Sequence, residues 1–160
     1  MRAVNSTFFF LGLIALAGLM PCFVSGSSAA GGDAWERDAD GNLVIHADSV
    51  AGDALFIPCR SGGTPMEIIV ARADDGQIRV AFNTCQVCAG SPRAYFVLDG
   101  RGFVCRNCGN VFSAAQVGAS GGGCNPLPVP GVETAKPEIV IPAAVLAAHE
   151  AYFRNWKRGE

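Results

Sequence analysis

The hydrophobic pattern divides the chain into an unbroken apolar run, a series of short alternating stretches, and a terminal segment of helical period. Phe8 to Leu19 is an apolar run of twelve residues behind Arg2 and the amino terminus. Pro21 breaks it, and Val24-Ser25-Gly26 supplies small residues beyond. A weakly positive start, an apolar middle and small residues at the end are the layout of an export signal. The stretch from Phe8 to Val24 is short for a bilayer span. Residues 1–26 are therefore expected to be a cleaved signal peptide or an uncleaved N-terminal membrane anchor. Lipidation of Cys22 is the third reading, disfavoured because Pro21 stands where a small residue is normal. All three export the remainder of the chain, and a cut after Gly26 leaves 134 residues, enough for one modest core.

Residues 27–41 read as a flexible leader, rich in small residues from Ser27 to Gly32. Alternation then predicts a strand at Asn42–His46 and another at Ala54–Pro58, where the proline places the strand near an edge. Met66–Arg72 and Gln77–Asn83 are β-branched runs around Ala73-Asp74-Asp75-Gly76, which reads as a hairpin. Ala94–Leu98 and Phe103-Val104 flank a second turn, Asp99-Gly100-Arg101-Gly102. Segments 118–123 and 126–137 read as irregular. After Pro142 the period changes: Val145, His149, Tyr152 and Trp156 share one helical stripe with Leu146 and Phe153 beside it. The expected fold is a mostly-β (α+β) domain over 42–157, a small antiparallel sheet closed by a C-terminal amphipathic helix.

Composition narrows the function. Twelve Lys and Arg against fourteen Asp and Glu give a formal charge of −2 and a pI near 5.6, which offers no basic footprint for nucleic acid. No glycine-rich phosphate loop, nucleophile elbow or paired-carboxylate constellation appears. An enzyme with its own substrate is not expected. Seven cysteines in 160 residues are the feature to explain.

Cys85-Gln86-Val87-Cys88 and Cys105-Arg106-Asn107-Cys108 form two C-x2-C pairs with sixteen residues between them, the spacing of a four-thiolate metal site. In each pair the intervening turn points both sulfurs the same way, and a hairpin over 94–104 would bring one knuckle beside the other. Gly90 and Gly109 allow the bends that turn backbone N–H groups toward sulfur. Disulfides are the alternative in an exported chain. A thioredoxin-like motif is excluded, since Gly90, Ser91 and Pro92 follow too soon for a helix to start at Cys85. Attached c-type haem would need a histidine after the second cysteine, where Ala89 and Gly109 stand.

Cys124, in Gly121-Gly122-Gly123-Cys124-Asn125-Pro126, is either a buried thiol in a tight turn or an extra, exchangeable ligand. Cys59 reads as a packed thiol or disulfide partner. His149 reads as a core residue, whereas His46 is open to either role.

The ordered set of Val80 to Cys88, Val104-Cys105-Arg106-Asn107-Cys108-Gly109-Asn110-Val111-Phe112 and Gly122-Gly123-Cys124-Asn125-Pro126 resembles the FtrD-like family, described as membrane iron–sulfur-containing proteins associated with bacterial iron uptake. The resemblance runs over about 75–130 and more loosely 139–153. It implies iron or an iron–sulfur cluster on Cys85, Cys88, Cys105 and Cys108, with Cys124 at the fifth family cysteine. Its implied partners are membrane iron-uptake or redox proteins, met in the periplasm or on the outer face of the cytoplasmic membrane. Two departures stand out: larger members carry several membrane segments ahead of this domain, and Asn83-Thr84 replaces an acidic residue often found before the first knuckle. Three functions compete: electron transfer or iron handling, a structural zinc ribbon in a binding module, and a metal chaperone or sensor using Cys124 or His46.

Overall fold

The computed structural model describes residues 34–52, 54–119 and 122–158; residues 1–26, expected from the sequence to be an export signal or anchor, with Cys22, and the leader up to residue 33 lie outside them. Ten strands run in chain order: β1 Trp35–Arg37, β2 Leu43–His46, β3 Ala54–Ser61, β4 Thr64–Arg72, β5 Ile78–Cys85, β6 Phe96–Asp99, β7 Gly102–Cys105, β8 Val111–Phe112, β9 Pro126–Pro128 and β10 Glu138–Ile141. They form three small antiparallel sheets, ordered β1-β2-β10, β3-β4-β5-β9 and β6-β7-β8. The fold is mostly β, as the alternation implies, but it is built as three sheets where the sequence suggests one.

The four-stranded sheet is the middle layer. Its central strands bury both faces, so β4 reads as a near-continuous apolar run rather than a clean alternation. Met66, Ile68 and Val70 of β4, with Val80 and Phe82 of β5, face a core shared with Leu43 and Ile45 of β2 and Ile139 and Ile141 of β10. Ile69, Ala71, Ala81 and Cys85 face the opposite core, completed by Phe96, Phe103, Cys105 and Val117. The second core underlies the cysteine knuckles.

Both expected hairpins form, at 73–77 between β4 and β5 and at the Asp99–Gly102 turn between β6 and β7. Pro58 does lie on an edge strand, although β3 runs past it to Ser61, pairing Pro58 with Glu67. Two expectations differ. The leader is not flexible through residue 41: Trp35–Arg37 pair with β2, and Asp38 fixes the adjoining turn through Asn42. Within the segment expected to be irregular, Pro126–Pro128 add to the edge of β5.

The terminal helix is short. α1 spans Ala143–Ala148 and gives way to a 3-10 turn at Glu150–Phe153. Asn42 Oδ1 accepts the Ala143 N–H at 2.9 Å, standing in for a cap that Pro142 cannot provide. At the other end His149 Nδ1–H donates to the Val145 carbonyl at 2.7 Å, taking the acceptor that its own backbone N–H would use in a continuing helix. That N–H turns instead to Leu146 O, and the last turn tightens. The buried positions are Leu146, Phe153 and Trp156, while Tyr152 of the predicted stripe stays on the surface. Each fully buried apolar side chain here contributes about 1.5–3 kcal/mol.

Candidate metal centre

β5 ends at Cys85 and β7 ends at Cys105, so each buried inner cysteine is carried by a different sheet. Beyond each strand end the chain turns back on itself and returns the outer cysteine to the same side. In the first knuckle, Ser91 N–H donates to Cys88 O, and Cys85 N–H to Ala94 O. In the second, Gly109 N–H donates to Cys105 O at 2.8 Å, and Cys105 N–H to Asn110 O at 2.9 Å. Gly109, at φ +77°, makes the left-handed bend that this closure needs.

The four sulfurs of Cys85, Cys88, Cys105 and Cys108 lie within 4.8 Å of one another. Backbone N–H groups face them. Those of Val87 and Cys88 point at Cys85 Sγ, the latter at 3.4 Å. Those of Asn107 and Cys108 point at Cys105, and that of Asn110 at Cys108. Such donors stabilise negative charge on sulfur. Cys85 and Cys105 are buried, Cys88 is half-buried and Cys108 is exposed. The site thus has an inner wall and a solvent-facing side.

Electrostatics follow that gradient. Burial pushes the Cys85 thiol far above its ordinary value, despite its backbone donors, and pushes Cys105 up to about 11. At Cys108 the upward push of burial is outweighed by the Asn110 N–H and by the thiols of Cys105, Cys124 and Cys88, so its thiol sits lower than usual. Four sulfurs this close cannot all be thiolates without a cation among them. A single ion holding thiolates at about 2.3 Å spaces four sulfurs about 3.8 Å apart in a tetrahedron. Soft sulfur donors in that arrangement suit iron or zinc.

Hydrogen bonds tie the loops together. Ser91 Oγ–H donates to Asn107 Oδ1 at 2.7 Å, joining one knuckle to the other. Arg106 N–H donates to Tyr95 O at 2.8 Å. Gln86 holds the third loop from both its ends: its backbone N–H donates to Asn125 O, and its Oε1 accepts the Gly122 N–H at 2.9 Å. Cys124 is thereby brought against Cys108, whose contact, followed by burial, raises the Cys124 thiol. All six described cysteines are free thiols. Cys59 is apart from the group, opposite Met66 in the first core. His46 lies opposite Glu138 on β2, and His149 stacks on Phe82 with centroids 4.7 Å apart.

Behind the first knuckle is a buried polar network that the sequence motifs do not reveal. Asn83, two residues before Cys85, presents its side-chain amide to both backbone groups of Phe96: Oδ1 accepts the N–H at 2.7 Å and Nδ2–H donates to the carbonyl at 3.2 Å. It acts as one rung of ladder between β5 and β6, linking two sheets. Nδ2–H also donates to Glu67 Oε2, and Arg158 Nη1–H donates to that oxygen at 2.6 Å and to Phe96 O at 3.0 Å. Burial raises the Glu67 carboxyl above its usual value, against the pull of Asn83 and Arg158. Trp156 Nε1–H donates to Asn83 O, and the Arg158 guanidinium lies 4.3 Å over the Phe56 ring. The one signal of this network in the sequence is a lone asparagine inside a β-branched strand.

Fold and site together define a mostly-β domain whose strand ends gather four cysteine thiols into one cluster. The family model described as membrane iron-sulfur containing protein FtrD-like matches residues 50–153, and the chain belongs to that family. No curated protein and no solved structure matched the chain. Among the described residues, no helix is long and apolar enough to cross a membrane.

Proposed function

We propose that the protein is an exported, membrane-associated carrier of iron, held by Cys85, Cys88, Cys105 and Cys108, which serves electron transfer to membrane iron-uptake or redox proteins. The observation that carries this reading is the gathering of four sulfurs within 4.8 Å, with backbone N–H groups already turned toward them. A cluster of several irons distributes its thiolates over different metal atoms and spreads them wider than one ion does. The tight grouping therefore favours a single iron on four thiolates. Bound there, iron supplies a one-electron couple whose potential is tuned by hydrogen bonds to sulfur and by solvent exposure.

The protein's own part is to bury Cys85 and Cys105, to direct N–H dipoles at sulfur, and to leave Cys108 at the surface as the side from which electrons leave. Cys124, against Cys108, is the thiol placed to exchange with that ligand. The same tetrahedral donor set suits structural zinc, which would have no redox activity and no open coordination position. Metal and acid-labile sulfide analysis of the full chain, exported to its own compartment and purified without oxygen, separates the readings. Iron without sulfide supports the single-ion centre. Iron with stoichiometric sulfide replaces it with a cluster, and zinc removes electron transfer from the proposal.

A further inference from the structure

The net charge of −2 conceals a division of the molecule. The knuckle region, residues 84–125, and the terminal segment 151–158 together hold six Lys and Arg against one acid, Asp99, a net of +5. The rest of the sequence holds −7. The two segments meet in the fold: Lys157 N–H donates to Pro92 O at 3.0 Å, and Asn155 Nδ2–H to Gly90 O at 3.2 Å. Arg101 is paired with Asp99, and Arg158 with Glu67. Arg93, Arg106, Arg154 and Lys157 are exposed, Arg106 within the second knuckle and Arg93 just beyond the first. Among them stand the exposed Cys108 and, at the tip of the first knuckle, Val87 with 65% of its surface in solvent.

We propose that this cysteine-bearing end is the docking face for a protein partner with an acidic surface. The inference deepens the carrier reading above and rests on it for what passes across the face. Redox encounters use small interfaces in which complementary charge steers approach and sets orientation, with an apolar contact at the centre. Exposed Val87 lies in the first knuckle and exposed Cys108 in the second, the sulfurs of the two knuckles are gathered within 4.8 Å, and Arg93 and Arg106 are exposed on the same two loops, which matches that layout. An anionic lipid surface is the other ligand that basic residues attract. Interfacial anchoring, however, relies on a broad face of exposed Trp, Phe or Leu; at this end no tryptophan or phenylalanine is exposed among the described residues, and Leu98, 36% exposed, is a single leucine rather than such a face.

The full chain, purified with its metal, would be tested for binding to immobilised poly-L-glutamate at low salt. It would also be tested on phosphatidylglycerol vesicles, in excess of its binding to phosphatidylcholine vesicles. Binding to poly-L-glutamate should fall about tenfold or more in R93E/R106E, and no more than about twofold in R60E/K136E, which changes net charge equally. Binding by the parent should weaken as salt shortens the screening length. R93Q/R106Q, which removes charge without reversing it, should show an intermediate loss. Equal losses in the two Glu doubles, or no binding by the parent, would overturn the proposal. A preference for phosphatidylglycerol lost in R93E/R106E without any effect on poly-L-glutamate binding would overturn it in favour of lipid. Metal content read on the same samples keeps the two readings apart: metal without docking refutes the docking face, and docking without metal refutes the carrier.

Discussion

Removing the guanidinium of Arg158 while keeping its stem, in Arg158→Met, tests the network behind the first knuckle. At 2.6 Å from Glu67 Oε2, an effective dielectric near 20 gives a gross attraction of about 6 kcal/mol. Desolvation offsets much of it: the two side chains retain 25% and 12% of their exposure, between the surface and fully buried limits. Exposed pairs give about 0–1 kcal/mol and breaking a buried pair costs about 3–5 kcal/mol, so the ion pair itself falls near 2 kcal/mol. The lost bond to Phe96 O adds about 1 kcal/mol. Arg158→Met should therefore cost about 3 kcal/mol in urea unfolding of the metal-loaded chain near pH 7. In Glu67→Gln the acceptor is neutral, and combining the two changes should recover about 1–2 kcal/mol relative to their sum. The pH dependence has a definite sign. Burial raises Glu67 in the folded state, so folding retains its proton when the unfolded chain has lost it, and stability falls as pH rises from 4.5 through the folded value. Without Arg158 that value rises further, and the deficit of Arg158→Met should widen from pH 4.5 upward. A double mutant additive to within about 0.5 kcal/mol would refute the coupling.

Three further outcomes are expected from the site and the core. Because burial holds the Cys85 and Cys105 thiols protonated at neutral pH, metal uptake should release protons and tighten with rising pH; calorimetry in buffers of different ionisation enthalpy measures the release. Cys124→Ser should leave metal stoichiometry unchanged but slow transfer of metal to a competing chelator; transfer at the parent rate would remove Cys124 from any exchange role. A Cβ at Gly118, which has φ +64°, would sit 2.2 Å from the Val80 carbonyl oxygen on β5, so Gly118→Ala should cost about 2–4 kcal/mol in thermal or urea unfolding.

The strands most legible in the sequence are those with β-branched residues between strong turn signals, such as 66–72 and 77–83 around Ala73–Gly76. The four thiols of the site lie at spacings that local turns enforce, so C-x2-C can be read without knowing the fold. The elements that escape such reading depend on partners far along the chain. Pro126–Pro128 form a strand only because β5 offers an unpaired edge. Trp35–Arg37 form one only against β2. The helix stripe from Val145 to Trp156 places Leu146, Phe153 and Trp156 in the core correctly but puts Tyr152 there wrongly and overstates the helix's length, because His149 diverts a carbonyl that helical periodicity assumes is free to accept. Asn83, Glu67 and Arg158 are separated by up to 91 residues, and no local pattern joins them.

Cys85 belongs to the middle sheet and Cys105 to the knuckle sheet, with the Asn83 amide as the side-chain rung between them. An ion gripping both cysteines is therefore a clasp across a layer boundary, and its binding free energy acts on the docking of one sheet against the other. Occupancy and assembly then rise together. Below saturation, loaded molecules would carry this extra tie between the sheets, and empty ones would rest on the shared apolar core and the Asn83 rung alone. A cell short of the metal would then hold more of this protein in its less firmly clasped form.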